Sequence, residues 1–163
     1  MNGLERDLKH DPTHDHAWYT RGDTGGVAVE GRHYSGVQCL EQALKLDPQH
    51  DHAWNNLGIA GGGTVDGRHY WAVRCYEQEV RLHPKHANAW HDLGNAGGGT
   101  VDGRRYSAVQ CYEQALRLHP KHANAWHNLG YVGETPLNVP PNTEGQCSEQ
   151  AVMLNPTQAD AWH

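Results

Sequence analysis

The chain has 163 residues and carries 19 Asp and Glu against 13 Lys and Arg, which gives a formal net charge of −6. This acidic balance argues against a nucleic-acid-binding protein, in which a basic surface offsets the phosphate charge. No run of about 18 consecutive apolar residues is present, so no membrane-spanning helix is predicted. Residues 1–7 lack the apolar core of a secretory signal. We therefore expect an intracellular, cytoplasmic protein that does not bind membranes, with import into an organelle left open.

Tryptophan, cysteine and proline recur at a spacing of 36 residues along the chain. A fixed period of this length predicts stacked supersecondary units rather than a closed globule. The recurring residues are Trp18, Trp54, Trp90, Trp126 and Trp162; Cys39, Cys75, Cys111 and Cys147; and Pro12, Pro48, Pro84, Pro120 and Pro156.

Residues 51–86 show the predicted elements of one period in chain order. Apolar residues spaced three or four apart predict a first helix that contains Trp54 and Leu57. The four glycines within residues 61–67 disfavour its continuation by about 1 kcal/mol each, so we expect a loop there and no strand. The apolar spacing resumes from about Arg68 and predicts a second helix. Pro84 ends this helix near Leu82, because the residue before a proline avoids the helical region.

These elements resemble the tetratricopeptide repeat. The family's pattern of Trp, Leu-Gly, a small residue, an aromatic residue, Ala and Pro is met by Trp90, Leu93, Gly94, Ala108, Tyr112, Ala115 and Pro120. The preceding repeat has the same residue types at six of these positions, with Glu79 in place of the second alanine. The family period is about 34 residues, and the extra residues here fall in the Gly-rich connection. Residues 15–50 depart further, with Arg21 for the leucine, Gly36 for the small alanine and Leu40 for the aromatic residue.

The resemblance implies an all-α fold, a right-handed superhelical solenoid of antiparallel helix pairs that forms one domain over residues 1–163. We expect the repeat tryptophans to pack between the two helices of their own repeats, and the out-of-phase Trp71 to be exposed. The expected organisation is a partial repeat with only a second helix (1–14), three repeats (15–50, 51–86 and 87–122), a degenerate repeat (123–158) and the start of a further repeat (159–163).

Cysteines and histidines are the candidate metal ligands. Equivalent positions in neighbouring repeats lie about 10 Å apart, too far for a disulfide, so the cysteines are predicted to be partly buried free thiols. The histidines group around the turns between repeats, where they are predicted to be solvated. Metal binding by imidazole is the alternative. The groups are His14 and His16; His50 and His52; His83, His86 and His91; and His119, His122 and His127.

The Gly-rich connection superficially resembles a phosphate-binding loop. A P-loop requires Lys followed by Ser or Thr at the start of the next helix, whereas Arg68 and His69, or Arg104 and Arg105, follow here. No arrangement of nucleophile, base and acid stands out. We therefore predict no catalytic residue, no cofactor and no enzymatic activity.

The resemblance also implies a concave groove lined by the first helices, the family's usual site for a peptide or partner protein. The residues at these positions are polar or aromatic and include no Lys or Arg, so amides and imidazoles would contact the partner. The predicted groove residues are His16, Tyr19 and Asp23; His52, Asn55 and Ile59; Asn88, His91 and Asn95; and Asn124, His127 and Tyr131.

The function predicted from the sequence is that of a protein–protein interaction scaffold. The alternative is a structural unit that stacks end to end with other copies, because neither end of the chain shows the polar cap that terminates isolated repeat arrays. A His-rich metal binder is a more distant third possibility.

Overall fold

The computed structural model of the chain describes Leu8 and residues 11–132, within two compact units, Met1–Leu82 and His83–His163. Both units are rich in helices, and a short β-hairpin connects the two helices of each described repeat. The first unit contains α1 (Asp15–Asp23), β1 (Gly26–Val29), β2 (Arg32–Ser35), α2 (Gly36–Leu46), α3 (Asp51–Ile59), β3 (Gly62–Val65), β4 (Arg68–Trp71) and α4 (Ala72–Leu82). The second unit contains α5 (Ala87–Asn95), β5 (Gly98–Val101), β6 (Arg104–Ser107), α6 (Ala108–Leu118) and α7 (Ala123–Tyr131).

A two-stranded antiparallel sheet occupies each Gly-rich connection, where the sequence analysis predicted a loop. In the hairpin of β3 and β4, Val65 pairs with Arg68 across a two-residue turn. The turn residues Asp66 and Gly67 have φ angles of 50° and 75°, as in a type I′ turn, whose twist matches that of the strands it joins. The expectation of an all-α fold is therefore wrong here, and the second helix begins at Ala72 rather than near Arg68. Its end at Leu82 agrees with the prediction.

The hairpin of β3 and β4 is fixed to the second helix of the preceding repeat. The backbone N–H of Thr64 on β3 donates to Oε1 of Glu41 on α2 at 2.6 Å. An unpaired strand edge is otherwise open to pairing with another chain. The Glu41 carboxylate thus pairs with one N–H at the outer edge of β3 and joins two neighbouring repeats of the first unit.

An aromatic layer ties the hairpin to the first helix and to the turn before it. Trp54 is 3% exposed, donates Nε1–H to the carbonyl oxygen of Pro48 at 2.9 Å, and lies 4.8 Å from the ring of Tyr70 on β4. The guanidinium of Arg68 stands 5.5 Å from the centre of the same tyrosine ring. Trp18, Trp54 and Trp90 are therefore buried as predicted, but they pack against the hairpin as well as the helices, whereas Trp71 is 69% exposed. Trp126 is half-buried, and Trp162 lies outside the described residues. The layer recurs with Pro12, Trp18, Tyr34 and Arg32, and with Pro84, Trp90, Tyr106 and Arg104.

The cysteines of the second helices are buried more completely than predicted. Cys39, Cys75 and Cys111 are inaccessible to solvent, and their thiols are free. Burial raises the pKa of Cys39 to about 11 and that of Cys75 and Cys111 to about 12. Since the thiolate is the reactive form, these residues serve packing. Cys147 lies outside the described residues.

None of the described helices is both long and apolar enough to cross a bilayer.

Candidate partner-binding face

Three of the predicted groove residues share one face of α5. Asn88, His91 and Asn95 follow one another at spacings of three and four, which places them in line along a helix. Asn88 and Asn95 are exposed, whereas His91 is only 9% exposed. On this face a nearly buried imidazole therefore lies between two accessible amides.

Residues of α6 and α7 hold these side chains in place. Asn128 Nδ2 donates to Asn95 Oδ1 at 2.7 Å and lies 3.2 Å from His91 Nε2. The Tyr112 hydroxyl donates to the same Asn95 oxygen at 3.1 Å, and burial raises the pKa of Tyr112, which keeps the hydroxyl protonated. Sequence reasoning missed Asn128 as a partner of the face, although it recurs as Asn56 two repeats earlier.

His122 closes the network at the beginning of α7. Its Nδ1 accepts the backbone N–H of Ala125 at 3.3 Å as the N-cap of α7, so its other nitrogen carries the proton and donates to Asn88 Oδ1 at 3.0 Å. The ring stacks on His91 with 4.9 Å between the ring centres. Burial lowers the pKa of His122, and the neighbouring His91 and His119 lower it further. The sequence prediction of a solvated turn is wrong for His122, because the neutral imidazole is a structural cap.

His50 plays the corresponding part in the first unit. Its Nδ1 accepts the backbone N–H of Ala53 at 3.3 Å as the N-cap of α3, and its ring lies 4.4 Å from that of Tyr19. Among Leu8 and residues 11–132, no group of three or more His, Cys, Asp or Glu side chains is arranged to hold a metal ion. His50 and His122 therefore each cap a helix, whereas His14 and His86, the N-cap residues of α1 and α5, make no side-chain cap bond.

The other predicted face residues of the second unit lie on α7. Asn124 is exposed, His127 is half-buried, and Tyr131 at the end of the helix is 83% exposed. These three follow the same spacing on α7 as Asn88, His91 and Asn95 on α5. Asn124 and Tyr131 are the accessible members.

In the first unit, one predicted face residue is drawn inward. Asn55 is half-buried, and its Nδ2 donates to Oε2 of the buried Glu79 on α4 at 2.9 Å. This bond accounts for the glutamate that stands in place of the family's alanine. His52 remains exposed, and Ile59 is 69% exposed.

The predicted face residues of α1 also make local contacts. The ring of His16 lies 6.0 Å from that of Tyr19, and the exposed Asp23 accepts from Asn56 Nδ2 at 3.2 Å. The Asp23–Asn56 pair corresponds, by position in the repeat, to the Asn95–Asn128 pair of the second unit.

Comparisons with known proteins agree with the repeat type that the residues predicted. Residues 111–132 match the family model of the tetratricopeptide repeat. A crystal structure of MamA aligns with a TM-score of 0.62 and 19% identity, over 96% of this chain and 87% of that chain. The structure of the MamA RS-1 ArsTM double mutant aligns with a TM-score of 0.63 and 17% identity, over 96% and 84%. At such identities the likeness shows the fold alone. No curated protein matches the chain significantly. Together, the family match and the shared fold confirm the resemblance to tetratricopeptide repeats.

Proposed function

We propose that these tetratricopeptide-type repeats form a non-enzymatic scaffold that presents the face of its first helices to a peptide of a partner protein. The proposed contact residues are His52, Asn55, Asn88, His91, Asn95, Asn124, His127 and Tyr131. The 36-residue period supports a right-handed superhelical solenoid, in which these residues would line one concave groove.

The observation that carries the proposal is the ordered polar face of the second unit. Asn88 Oδ1 accepts one hydrogen bond from His122, and the Asn88 amide has further donors and acceptors for a partner's backbone. Side chains that hydrogen bonds already hold in place lose less conformational entropy when a ligand binds. Such a face therefore favours recognition of an extended or helical peptide.

Exposed residues outside the network provide the test. A peptide library is selected against the full chain, and affinities are measured by fluorescence polarisation for a variant with His52, Asn124 and Tyr131 changed to Ala. We expect affinity to fall about tenfold or more, which corresponds to about 1.4 kcal/mol. The matched control changes two exposed hairpin residues, His33 and Arg105, to Ala, and should bind as the wild type does. Equal binding by the first-helix variant would show that another surface is used.

The alternative of end-to-end stacking depends on residues 1–10 and 133–163, which apart from Leu8 lie outside the described residues. It remains an expectation, and sedimentation velocity over a wide concentration range is its test.

A further inference from the structure

A cleft of about 440 Å³ opens beside Leu40 in the first unit. It lies between the ends of α1 and α3 and the beginning of α2. Gly22, Val37 and Leu40 form an apolar wall, and Ile59 lies at the exposed rim. Asp23 and Asn56 supply the polar groups of the cleft. Its volume is within the range of about 300–1,000 Å³ that is common for ligand pockets.

The second unit shows what fills the same position there. Two repeats after Leu40, at the equivalent position, stands Tyr112. Its ring lies against Gly94, so closely that a Cβ added at Gly94 would be 2.5 Å from Cε1 of the tyrosine. Its hydroxyl donates to Asn95 Oδ1, which also accepts from Asn128. The phenol thus sits on a glycine, with an amide pair at its polar end.

The first unit keeps the polar surroundings of this phenol, whereas Leu40 takes the place of the inner part of its ring. A Cβ added at Gly22 would be 2.6 Å from Cγ of Leu40, which is itself 3% exposed. Gly22 stands at the position of Gly94, and the Asp23–Asn56 pair, joined at 3.2 Å, stands at the position of the Asn95–Asn128 pair. Leu40 is shorter than a tyrosine and has no hydroxyl. The carboxylate of Asp23 is also a stronger hydrogen-bond acceptor than the amide of Asn95.

We propose that this cleft binds the side chain of a tyrosine in the partner peptide, with the ring against Val37 and Ile59, which line the cleft, and the hydroxyl donating to Asp23. The proposal rests on the proposed function, since Asp23 and Ile59 are among the groove residues that the sequence predicts on the first helices, next to the proposed contact residues. An apolar wall with one polar end suits a tyrosine, which has an apolar body and a polar tip.

In this proposal the tyrosine belongs to a partner peptide and not to residues 1–10 or 133–163 of this chain. All seven tyrosines of the sequence lie within the described residues, so residues 1–10 and 133–163 contain none that could fold into the cleft. Tyr131 is the one exposed tyrosine of the seven, at 83%, so it is the residue that a second copy would offer. A Tyr131→Phe variant therefore controls for self-association.

The first experiment uses p-cresol, the analogue of the tyrosine side chain, and toluene, the analogue of phenylalanine. Both are titrated into the full chain while backbone amide signals are followed by NMR. We expect saturable shifts at Gly22, Gly36 and Asn56, with p-cresol binding about tenfold more tightly than toluene, as for a hydrogen bond to a charged group. Asp23→Ala should remove this preference. Absence of saturable shifts, or equal affinities for the two compounds, would overturn the proposal.

The second experiment fills the cleft from within. Leu40→Tyr places the phenol of the second unit's arrangement in the first unit and should abolish p-cresol binding. If Leu40→Tyr is folded by circular dichroism and p-cresol still shifts Gly22, the proposal is wrong. If Leu40→Tyr does not fold, Asp23→Ala provides the test of the proposal, because the side chain of Asp23 lies at the surface.

Selected peptides separate this proposal from the proposed function. A peptide whose tyrosine occupies the cleft should bind Leu40→Tyr about tenfold more weakly, and the exposed hairpin variant His33→Ala as tightly as the wild type. A peptide that is sensitive to His52, Asn124 and Tyr131 together but not to Leu40→Tyr would refute the tyrosine site and leave the scaffold function standing. Lysine replacing tyrosine in the peptide without loss of affinity would show that Asp23 selects a cation instead.

Discussion

The change Trp54→Ala tests whether the aromatic layer holds each repeat together. Trp54 is 3% exposed in a cluster with Leu44, Leu57 and Cys75. Truncation of such a side chain to alanine costs about 3–5 kcal/mol, because packing is lost and a cavity is left behind. The edge contact with Tyr70 contributes about 0.5–1.5 kcal/mol beyond its buried area. We therefore expect a loss in the upper half of the 3–5 range.

The hydrogen bond from Trp54 to Pro48 is a smaller part of this loss. Pro48 lies at an exposed turn, so its carbonyl oxygen can bind water once the indole is removed. A neutral hydrogen bond of this kind contributes about 0.5–1.5 kcal/mol. Trp54→Phe keeps an aromatic ring but loses the bond, and it should fall between the wild type and Trp54→Ala.

Urea denaturation followed by far-ultraviolet circular dichroism measures these differences, since the helical signal does not depend on the tryptophan that is removed. Trp71→Ala is the matched control, with the same side chain in the same repeat but 69% exposed, and it should change the free energy of unfolding by no more than about 0.5 kcal/mol. Equal losses for Trp54→Ala and Trp71→Ala, or a loss below about 1 kcal/mol for Trp54→Ala, would refute the reasoning.

Three further substitutions probe single contacts, each read from the same denaturation curves. Because folding lowers the pKa of His122, the unfolded state takes up its proton first, and stability should fall as the pH drops below about 6.5; His122→Asn, which keeps an N-cap acceptor, should flatten this decline. Gly94→Ala should lower the free energy of unfolding by about 1–3 kcal/mol, since its Cβ would meet the Tyr112 ring, and an unchanged midpoint would contradict that contact. Arg21→Leu should raise it by about 1–3 kcal/mol, because Nε and Nη2 of Arg21 are buried and have no hydrogen-bond partner in the structure; a loss would show that the guanidinium is stabilising.

The helices could be predicted from the sequence because their signals are local. Apolar spacing and Pro84 place the end of α4 at Leu82, as observed. The hairpins were missed because the cost of glycine in a helix does not distinguish a loop from a strand pair. The signal that could have revealed them is the Asp66-Gly67 pair, since both residues of a type I′ turn need positive φ angles and Asp-Gly is a preferred pair there.

The candidate face could be predicted only in part, for a different reason. The family resemblance places Asn88, His91 and Asn95 on one helix face, which depends on spacing alone. Their hydrogen bonds to Asn128 and His122 join residues more than 30 positions apart, and such pairs depend on how the helices pack. The inward turn of Asn55 likewise depends on Glu79, a departure that the sequence shows without indicating its partner.

Differences between the repeats carry information that their common pattern does not. Ser35 with Gln38, and Ser107 with Gln110, form capping boxes at the starts of α2 and α6. The middle repeat has Trp71 and Arg74 at these positions, and neither side chain has an acceptor that could form the box.

Loss of such a cap typically costs about 0.5–2 kcal/mol, and the exposed Trp71 recovers little of this through burial. The first unit offers a similar case, because Leu40 stands at the position that Tyr112 occupies in the second unit. The Asp23–Asn56 pair is thereby left at the edge of an open cleft. In the middle repeat the capping box is absent, and the accessible indole of Trp71 stands in its position. In the first unit the tyrosine hydroxyl is absent, and the carboxylate of Asp23 is accessible instead. A repeat array conserves its fold through the shared residues, so it is at such unshared positions that one array can differ from another in what it binds.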